Sequence, residues 1–138
     1  MSRKSITYSK SKIFALKIFN IYKILIKRGE FVISKQILRS GTSIGANLAE
    51  AIYAISDKDF LSKIHISLKE CSETNFWLEL LLDSNLLSPV EYEDLNADCI
   101  ELLKLLTSTA KTVSEKINNS PSPQVVSEDL PPTYLSYL

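Results

Sequence analysis

Apolar residues recur at intervals of three and four along most of the chain, which is the spacing that places them on one side of an α-helix. The pattern predicts four helices, at about residues 9–28, 32–55, 57–84 and 89–118. Because the segments between them are short, consecutive helices must run antiparallel. The pattern therefore predicts an all-α protein, an antiparallel up-down-up-down four-helix bundle with a Pro-rich C-terminal tail.

The predicted helix ends rest on residues with strong positional preferences. Gly29 is expected to follow the end of the first helix as a C-terminal cap. Ser56 or Asp57 is expected to cap the third helix, and Pro89 to lie in the first turn of the fourth helix after a Ser88 cap. The second helix is expected to bury Ile33, Ile37, Ser40, Ile44, Leu48, Ala51 and Ile55.

Composition divides the chain into an N-terminal arm at residues 1–8, the bundle at 9–118 and a tail at 119–138. Residues 118–138 contain four of the five prolines and no Lys or Arg, which is typical of a flexible segment. We expect this tail to add nothing to the stability of the bundle. Its apolar residues leave a second interpretation open, in which it lies across its own or a neighbouring subunit; they are Leu130, Tyr134, Leu135, Tyr137 and Leu138.

Two apolar surfaces predict that the bundle associates with other copies of itself. The first helix is apolar nearly all round between residues 13 and 26, and such a helix must be buried on every side. The third helix carries a second patch away from its core stripe, a candidate oligomer interface formed by Ile66, Phe76, Trp77 and Leu80. The alternative is that Trp77 simply covers a groove between helices.

The second helix contains two of the chain's three glycines, although glycine inside a helix costs roughly 0.5–1 kcal/mol relative to alanine. Gly41, Gly45 and Ala49 are four residues apart and form a close-packing stripe where another helix can approach. A polar stripe runs beside it and comprises Arg39, Ser43, Asn47 and Glu50. Arg39 and Glu50 are about 16 Å apart along the axis, so each needs a partner elsewhere.

The polar stripe has two interpretations. It is either a binding surface for a nucleic acid or a protein, or a network of interhelical and intersubunit hydrogen bonds that fixes register and assembly.

The run Arg39-Ser40-x-x-Ser43-Ile44-x-x-Asn47-Leu48-Ala49-Glu50-Ala51 resembles the signature of the bacterial four-helix-bundle proteins encoded in 23S-rRNA intervening sequences. Further matches are Lys58-Asp59-Phe60-Leu61 and Ser67-Leu68-Lys69-Glu70, with Glu73 and Trp77-Leu78, so the resemblance covers about residues 10–117. A distant resemblance extends to the accessory variability determinant of diversity-generating retroelements, which binds reverse transcriptase and nucleic acid.

The resemblance implies a homopentameric ring of four-helix bundles with suspected nucleic-acid binding. This chain departs from the strongly basic retroelement proteins because its net charge is zero. The tail lies outside the shared region, so the resemblance implies nothing about it.

Charge is distributed unevenly along the chain. Residues 1–47 contain ten Lys and Arg against one acidic residue, and residues 48–138 contain six Lys against fifteen acidic residues. The basic half could form a face for an anionic partner, or basic helices could pack beside acidic helices so that the charges satisfy each other. Candidates for phosphate contact are Lys10, Lys12, Lys17, Lys27, Arg28 and Lys35.

Residue patterns for catalysis are missing from the sequence. His65 is the one histidine, and Cys71 and Cys99 fall on core stripes. Acidic groups such as Glu70 and Glu73 are expected to be solvated faces or helix N-terminal charges. No Glu-x-x-His pair, Gly-rich phosphate loop or Ser/His/Asp set occurs, so we expect no catalytic residues, no metal, no cofactor and no enzymatic activity.

The sequence shows no signal peptide and no segment of membrane-spanning length, so we expect a cytoplasmic protein without membrane contact. The leading hypothesis is a non-enzymatic homo-oligomeric interaction protein, a pentamer by resemblance, that acts as a nucleic-acid-binding accessory factor for an RNA or a reverse transcriptase. The alternative is a protein–protein adaptor or assembly scaffold without nucleic-acid contact.

Overall fold

Four α-helices follow one another in a computed structural model that describes residues 6–119 and 133–138. They are α1 (Ile6–Lys27), α2 (Ile33–Ala51), α3 (Asp57–Asp83) and α4 (Pro89–Asn118). Each helix packs against the next, and α1 also packs against α4, which closes the bundle. The predicted four-helix bundle is confirmed. None of the helices described is both long and apolar enough to cross a lipid bilayer.

Local capping fixes the starts of α3 and α4 where the sequence predicts them. The Ser56 hydroxyl accepts a hydrogen bond from the backbone N–H of Asp59 at 3.0 Å. The Ser88 hydroxyl accepts one from the N–H of Glu91, whose carboxylate in turn accepts from the N–H of Ser88, and Pro89 follows in the first turn. This capping box satisfies N–H groups that have no partner within the helix.

The second helix ends earlier than predicted. It stops at Ala51 rather than near residue 55, and Ile55, predicted to lie in the core, is 72% exposed in the connection to α3. The cause is local: the Asp59 carboxylate accepts the N–H of Ile55 at 3.0 Å, so the residues before α3 belong to its cap and not to α2.

The first helix begins earlier than predicted, at Ile6, so residues 6–8 are helical and do not belong to an arm. Residues 1–5 lie outside the described residues. The early start has a physical reason, because the backbone N–H groups of Thr7 and Tyr8 donate to the carbonyl oxygen of Leu138. The C-terminal residues therefore supply a partner for the start of α1.

The core lies between the four helices and includes a few polar side chains that are satisfied within it. The Thr74 hydroxyl contacts that of Ser40 at 2.8 Å, and the Ser67 hydroxyl donates to the carbonyl of Ile44 at 3.0 Å. The larger apolar side chains of the core include Phe14, Ile18, Leu25, Ile37, Ile44, Leu48, Phe60, Ile64, Leu78, Leu81, Leu102 and Leu106.

Close packing of α1 on α2 explains the helical glycines. A Cβ atom on Gly41 would lie 2.9 Å from two side-chain carbons of Ile18, and one on Gly45 would lie 2.9 Å from the Ser11 hydroxyl. Ala49, the third member of the close-packing stripe, is half-buried. The partner of the stripe is therefore α1 of the same chain.

The end of the chain packs on the bundle. Residues Thr133–Tyr137 form a 3₁₀-helix, and Tyr134 and Leu138 are only 2% and 3% exposed. Of the two interpretations of the tail at 119–138, residues 133–138 follow the second and lie across their own bundle rather than forming a flexible end, because burial of two large side chains outweighs the entropy of a free end. Residues 120–132 of the tail, which include Leu130, lie outside the described residues.

Candidate functional site

The polar stripe of α2 makes its interhelical contacts with α3. The Arg39 guanidinium lies 3.2 Å from the Glu70 carboxylate and also bonds to the Glu73 carboxylate. At the other end of the stripe, Glu50 pairs with Lys63 at 2.8 Å, and this contact raises the pKa of Lys63. Arg39 and Glu50 thus find the separate partners that their spacing demands.

The two middle members of the stripe bond within their own helix. The Ser43 hydroxyl donates to the carbonyl of Arg39 at 2.7 Å, and the Asn47 amide donates to the carbonyl of Ser43 at 2.8 Å. The stripe is therefore an interhelical network only at Arg39 and Glu50.

Glu70 and Glu73 keep 18% and 33% of their side-chain surface exposed, and both are also ion-paired with Arg39, which the sequence did not predict. Glu73 joins Arg39 to Trp77, because its carboxylate accepts the indole N–H of Trp77 at 2.8 Å. Their positions on α3 gave one signal, since Glu70, Glu73 and Trp77 lie three and four residues apart on a single face. The link to Arg39 depends on how α2 and α3 are rotated, which one sequence does not specify.

The candidate interface on α3 divides into two parts. Trp77 is half-buried, packs against the core and meets the ring of Phe76 edge-on at 5.0 Å, as expected for a side chain that covers a groove. Phe76 is 56% exposed, and Ile66 and Leu80 are exposed as well. We call these three exposed residues, Ile66, Phe76 and Leu80, the α3 patch.

A second apolar surface lies on α1. This helix was predicted to be buried on every side, but within one chain it buries only the face that carries Phe14 and Ile18. On the opposite side Ile13, Leu16 and Phe19 are 55%, 63% and 45% exposed. We call these three residues the α1 outer face.

Three of the six candidate phosphate contacts are held by acidic residues of α4. Lys17 lies 3.0 Å from Asp94 and 2.8 Å from Asp98, and the hydrogen bonds to Asp98 and Asp94 raise the pKa of Lys17. Lys10 lies 3.2 Å from Glu101. Basic and acidic helices therefore satisfy each other along this seam, which is one of the two interpretations of the charge pattern.

Arg28 forms a bidentate ion pair in this seam. Its two terminal nitrogens each lie 2.9 Å from an oxygen of Glu91, and one also donates to the carbonyl of Leu86 at 2.7 Å. Hydrogen bonds from Arg28 and from the backbone of Ser88 lower the pKa of Glu91 to about 2. The other three candidates, Lys12, Lys27 and Lys35, are exposed and form no ion pair within residues 6–119 and 133–138.

The two cysteines lie side by side in the core. Their sulfur atoms are 3.6 Å apart, and each thiol lies within hydrogen-bonding distance of the other residue's carbonyl oxygen. The hydrogen bond with Cys99, together with burial, raises the pKa of the Cys71 thiol, which disfavours the reactive thiolate. In the part of the chain that the structure describes, no group of three or more His, Cys, Asp or Glu side chains could hold a metal ion.

Comparison with known proteins identifies the family. The chain matches the model of the 23S rRNA-intervening sequence protein family over residues 3–108. It belongs to this family. A crystal structure of a protein of unknown function from the S23 ribosomal protein family of Bacteroides thetaiotaomicron is 51% identical in sequence, with a TM-score of 0.75. The match covers 76% of this chain and 98% of that one, and no functionally curated protein matches.

Membership of the 23S rRNA-intervening sequence family confirms the main resemblance seen in the sequence. The family match ends at residue 108, so the packed residues 133–138 lie outside it. About a quarter of this chain likewise has no counterpart in the solved relative, which is itself a folded structure.

Proposed function

We propose that the protein is a non-enzymatic interaction module that assembles with copies of itself. The observation that carries this proposal is the α1 outer face, where Ile13, Leu16 and Phe19 expose about half of their surface in the isolated chain. Large apolar side chains exposed together on one helix face typically mark an interface, because burying them removes their surface from water at about 25 cal/mol per Å².

The position of the second surface supports a ring. In the order of packing around the bundle, α1 and α3 are not neighbours, so the α1 outer face and the α3 patch lie on different sides. A head-to-tail assembly needs two different complementary surfaces, whereas a two-fold dimer needs one that is self-complementary. We therefore propose that the α1 outer face of one copy meets the α3 patch of the next, and that the ring is a pentamer, as the resemblance implies.

Light scattering at micromolar concentration tests the assembly. The wild-type chain should give a mass about five times its 15.5 kDa. Leu16→Asp and Phe76→Asp should each reduce the mass, because a charge in an apolar contact is costly. Val90→Asp is the matched control, since Val90 is exposed but belongs to neither surface. Trp77→Asp is a poorer probe, because Trp77 packs against the core of its own chain.

Mixing the two variants tests the head-to-tail arrangement. The Leu16→Asp chain keeps its α3 patch and the Phe76→Asp chain keeps its α1 outer face, so an equal mixture should form heterodimers. If the contact were two-fold, mixing would restore nothing. A wild-type chain that is monomeric at micromolar concentration would contradict the whole proposal.

Nucleic-acid binding, as an accessory factor for an RNA or a reverse transcriptase, is the second candidate function. It is favoured by Lys12, Lys27 and Lys35, which are exposed and unpaired within the described ranges. The ion pairs of Lys10, Lys17 and Arg28 with α4 weaken it, and without it the assembly is a scaffold for proteins.

Titration with a structured RNA at two salt concentrations separates these functions. Binding through phosphates must weaken steeply with salt, and the double charge reversal of Lys12 and Lys27 to Glu should reduce it for all sequences alike. Lys10→Glu is the control, because Lys10 is already engaged by Glu101. Binding that ignores salt, or no binding at all, would leave only the scaffold.

A further inference from the structure

The last six residues of the chain occupy a built site at one end of the bundle. We call residues 133–138 the C-terminal hook. The site lies where α1 and α3 begin and α4 approaches its end, and the hook inserts Tyr134 and Leu138 into it. Both side chains are as buried as the core of the bundle, although the hook lies outside the family match.

Aromatic stacking forms the apolar part of this site. Phe60, in the first turn of α3, is completely buried, and the ring of Tyr134 stacks on it with centroids 4.7 Å apart. The ring of Tyr137 lies against the same phenylalanine at 5.5 Å. The Phe60 ring thus contacts both tyrosine rings of the hook. Aromatic pairs of this type stabilise a structure by more than the burial of their surface alone.

A buried carboxylate forms the polar part. Asp57 is 4% exposed, and the Tyr134 hydroxyl donates to it at 2.7 Å. The Lys116 ammonium lies 3.5 Å from the same carboxylate oxygen and 3.4 Å from the Tyr137 hydroxyl. Burial, reinforced by the bond to Asp57, raises the pKa of Tyr134, which keeps its hydroxyl protonated as a donor. Asp57 therefore selects a tyrosine over a phenylalanine at this position.

The backbone of the hook is also held by the bundle. The carbonyl oxygen of Leu138 accepts from the N–H groups of Thr7 and Tyr8 in the first turn of α1. The Thr109 hydroxyl donates to the carbonyl of Tyr137 at 3.2 Å. Main-chain hydrogen bonds combined with pockets for selected side chains are the usual basis of peptide recognition.

We propose that this end of the bundle is a peptide-binding site for a short tyrosine-containing segment, and that the C-terminal hook is its detachable ligand. The family match spans residues 3–108 and so does not include the hook, and a relative from Bacteroides thetaiotaomicron is matched over 98% of its chain by three-quarters of this one. Both observations favour a hook that is an addition to the family's four-helix framework. Thirteen residues, 120–132, separate the hook from α4, a length that spans at most about 45 Å. The hook is thus tethered at high effective concentration, but it is not part of the four-helix framework.

Fluorescence anisotropy with a labelled peptide tests this proposal. The probe is a peptide of residues 133–138 with a dye at its N-terminus, and the protein is the chain shortened after Asn119, with its helicity checked by circular dichroism. The shortened chain should bind the peptide saturably, and the full chain should bind it at least tenfold more weakly because its own hook fills the site. A peptide with Phe in place of Tyr134 should bind about tenfold or more weakly, since the hydrogen bond to a buried carboxylate is lost.

Two further arms make the outcome decisive. A peptide of the same composition in scrambled order is the control for non-specific apolar binding. In the full chain, Tyr134→Ala should weaken the contacts of the hook with the bundle, so this variant should bind the labelled peptide more tightly than the wild-type full chain does. A folded shortened chain that does not bind the peptide, or that binds the scrambled peptide equally, would overturn the proposal. A shortened chain that is unfolded would overturn it too, because the hook would then be part of the fold.

Discussion

Arg39 illustrates what a single residue reveals in a sequence and what it does not. Its place on a polar stripe shows that it needs a partner, and its distance from Glu50 shows that the partner lies elsewhere. The identity of the partners, Glu70 and Glu73, depends on the rotation and register of α3 against α2. Those quantities are set by packing of the whole core. The sequence therefore predicts that Arg39 requires an acidic partner, and the structure identifies which residues fill that role.

The first prediction concerns the glycines that face α1. In Gly41→Ala the new methyl group would lie 2.9 Å from both branches of Ile18, which is fully buried. We expect the overpacking cost of about 1–3 kcal/mol to exceed the gain in helix propensity of up to about 1 kcal/mol. Urea denaturation should show a lower free energy of unfolding.

Neighbouring variants provide the comparison. Gly45→Leu should destabilise severely, whereas Gly45→Ala should be milder than Gly41→Ala because the new methyl group would crowd a single atom, the Ser11 hydroxyl, rather than two branches of a buried side chain. Ala46→Leu, on the exposed side of α2, should change the free energy of unfolding by no more than about 0.5 kcal/mol. Equal stability of Gly41→Ala and the wild type would show that α1 and α2 are not in close contact.

The second prediction is a pH dependence that originates at Glu91. The pKa of Glu91 in the folded chain, about 2, lies below its ordinary value of 4.5, so its carboxylate stabilises the fold above pH 4.5. That contribution is lost as the pH falls from about 4.5 towards 2. Glu91→Gln should therefore melt below the wild type at pH 7, and the difference should close towards pH 2.

The choice of glutamine isolates the ion pair with Arg28, because glutamine at this position also completes a capping box. Glu93→Gln is the matched control, since Glu93 is exposed and forms no ion pair within the described residues. A difference between Glu91→Gln and the wild type that is the same at pH 7 and pH 2.5 would show that the carboxylate charge is not the cause.

At the scale of the helices, local signals predict boundaries better than long-range ones do. The starts of α3 and α4 follow from Ser56 and Ser88, whose hydroxyls cap the helix a few residues away. The start of α1 does not follow from its own sequence, because it depends on Leu138, more than a hundred residues later. The end of α2 follows from a local signal as well, because the Asp59 carboxylate accepts the N–H of Ile55 and so assigns that residue to the cap of α3 although it continues the apolar stripe of α2.

The third prediction concerns the pairing of α2 with α3. Arg39 is half-exposed and Glu73 is one-third exposed, so water and salt screen their attraction. A double-mutant cycle with Arg39→Ala and Glu73→Ala should give a coupling energy of about 0.2–1 kcal/mol, as is typical of exposed pairs.

A third variant, at Trp77, tests the other bond that the Glu73 carboxylate makes. Trp77→Phe should cost less when Glu73 is already alanine than in the wild type, because the indole N–H then has no carboxylate to bond and only the loss of packing against the core remains. A coupling energy above about 2 kcal/mol would mean that the network holds the two helices together, and would contradict the view that the buried stripes do so.

For the whole molecule, the sequence predicts the four-helix bundle but not where the C-terminal hook packs, which is the end of the bundle at which α1 begins. The four apolar stripes indicate the helices and their packing, since periodicity and short connections leave few alternatives. The apolar residues of the tail left open that it packs on its own subunit, but the place of packing could not be predicted, because it depends on Phe60 and Asp57 lying side by side in the folded chain. That arrangement is a property of the assembled bundle.

The last prediction is that shortening the chain after Asn119 destabilises the bundle without unfolding it. Burial of Tyr134 and Leu138 contributes about 1.5–3 kcal/mol for each side chain, and the entropy of ordering the hook offsets much of that gain. A net loss of about 1–3 kcal/mol should lower the melting temperature by roughly 3–6 °C per kcal/mol, while the helical signal at 25 °C stays the same per helical residue. Tyr53→Ala is the control: this tyrosine lies in an exposed turn at the same end of the bundle, so its replacement should leave the melting temperature unchanged. If the shortened chain melted with the wild type, the contacts of the hook with Phe60 and Asp57 would contribute nothing to stability, and the original expectation of an inert tail would be restored.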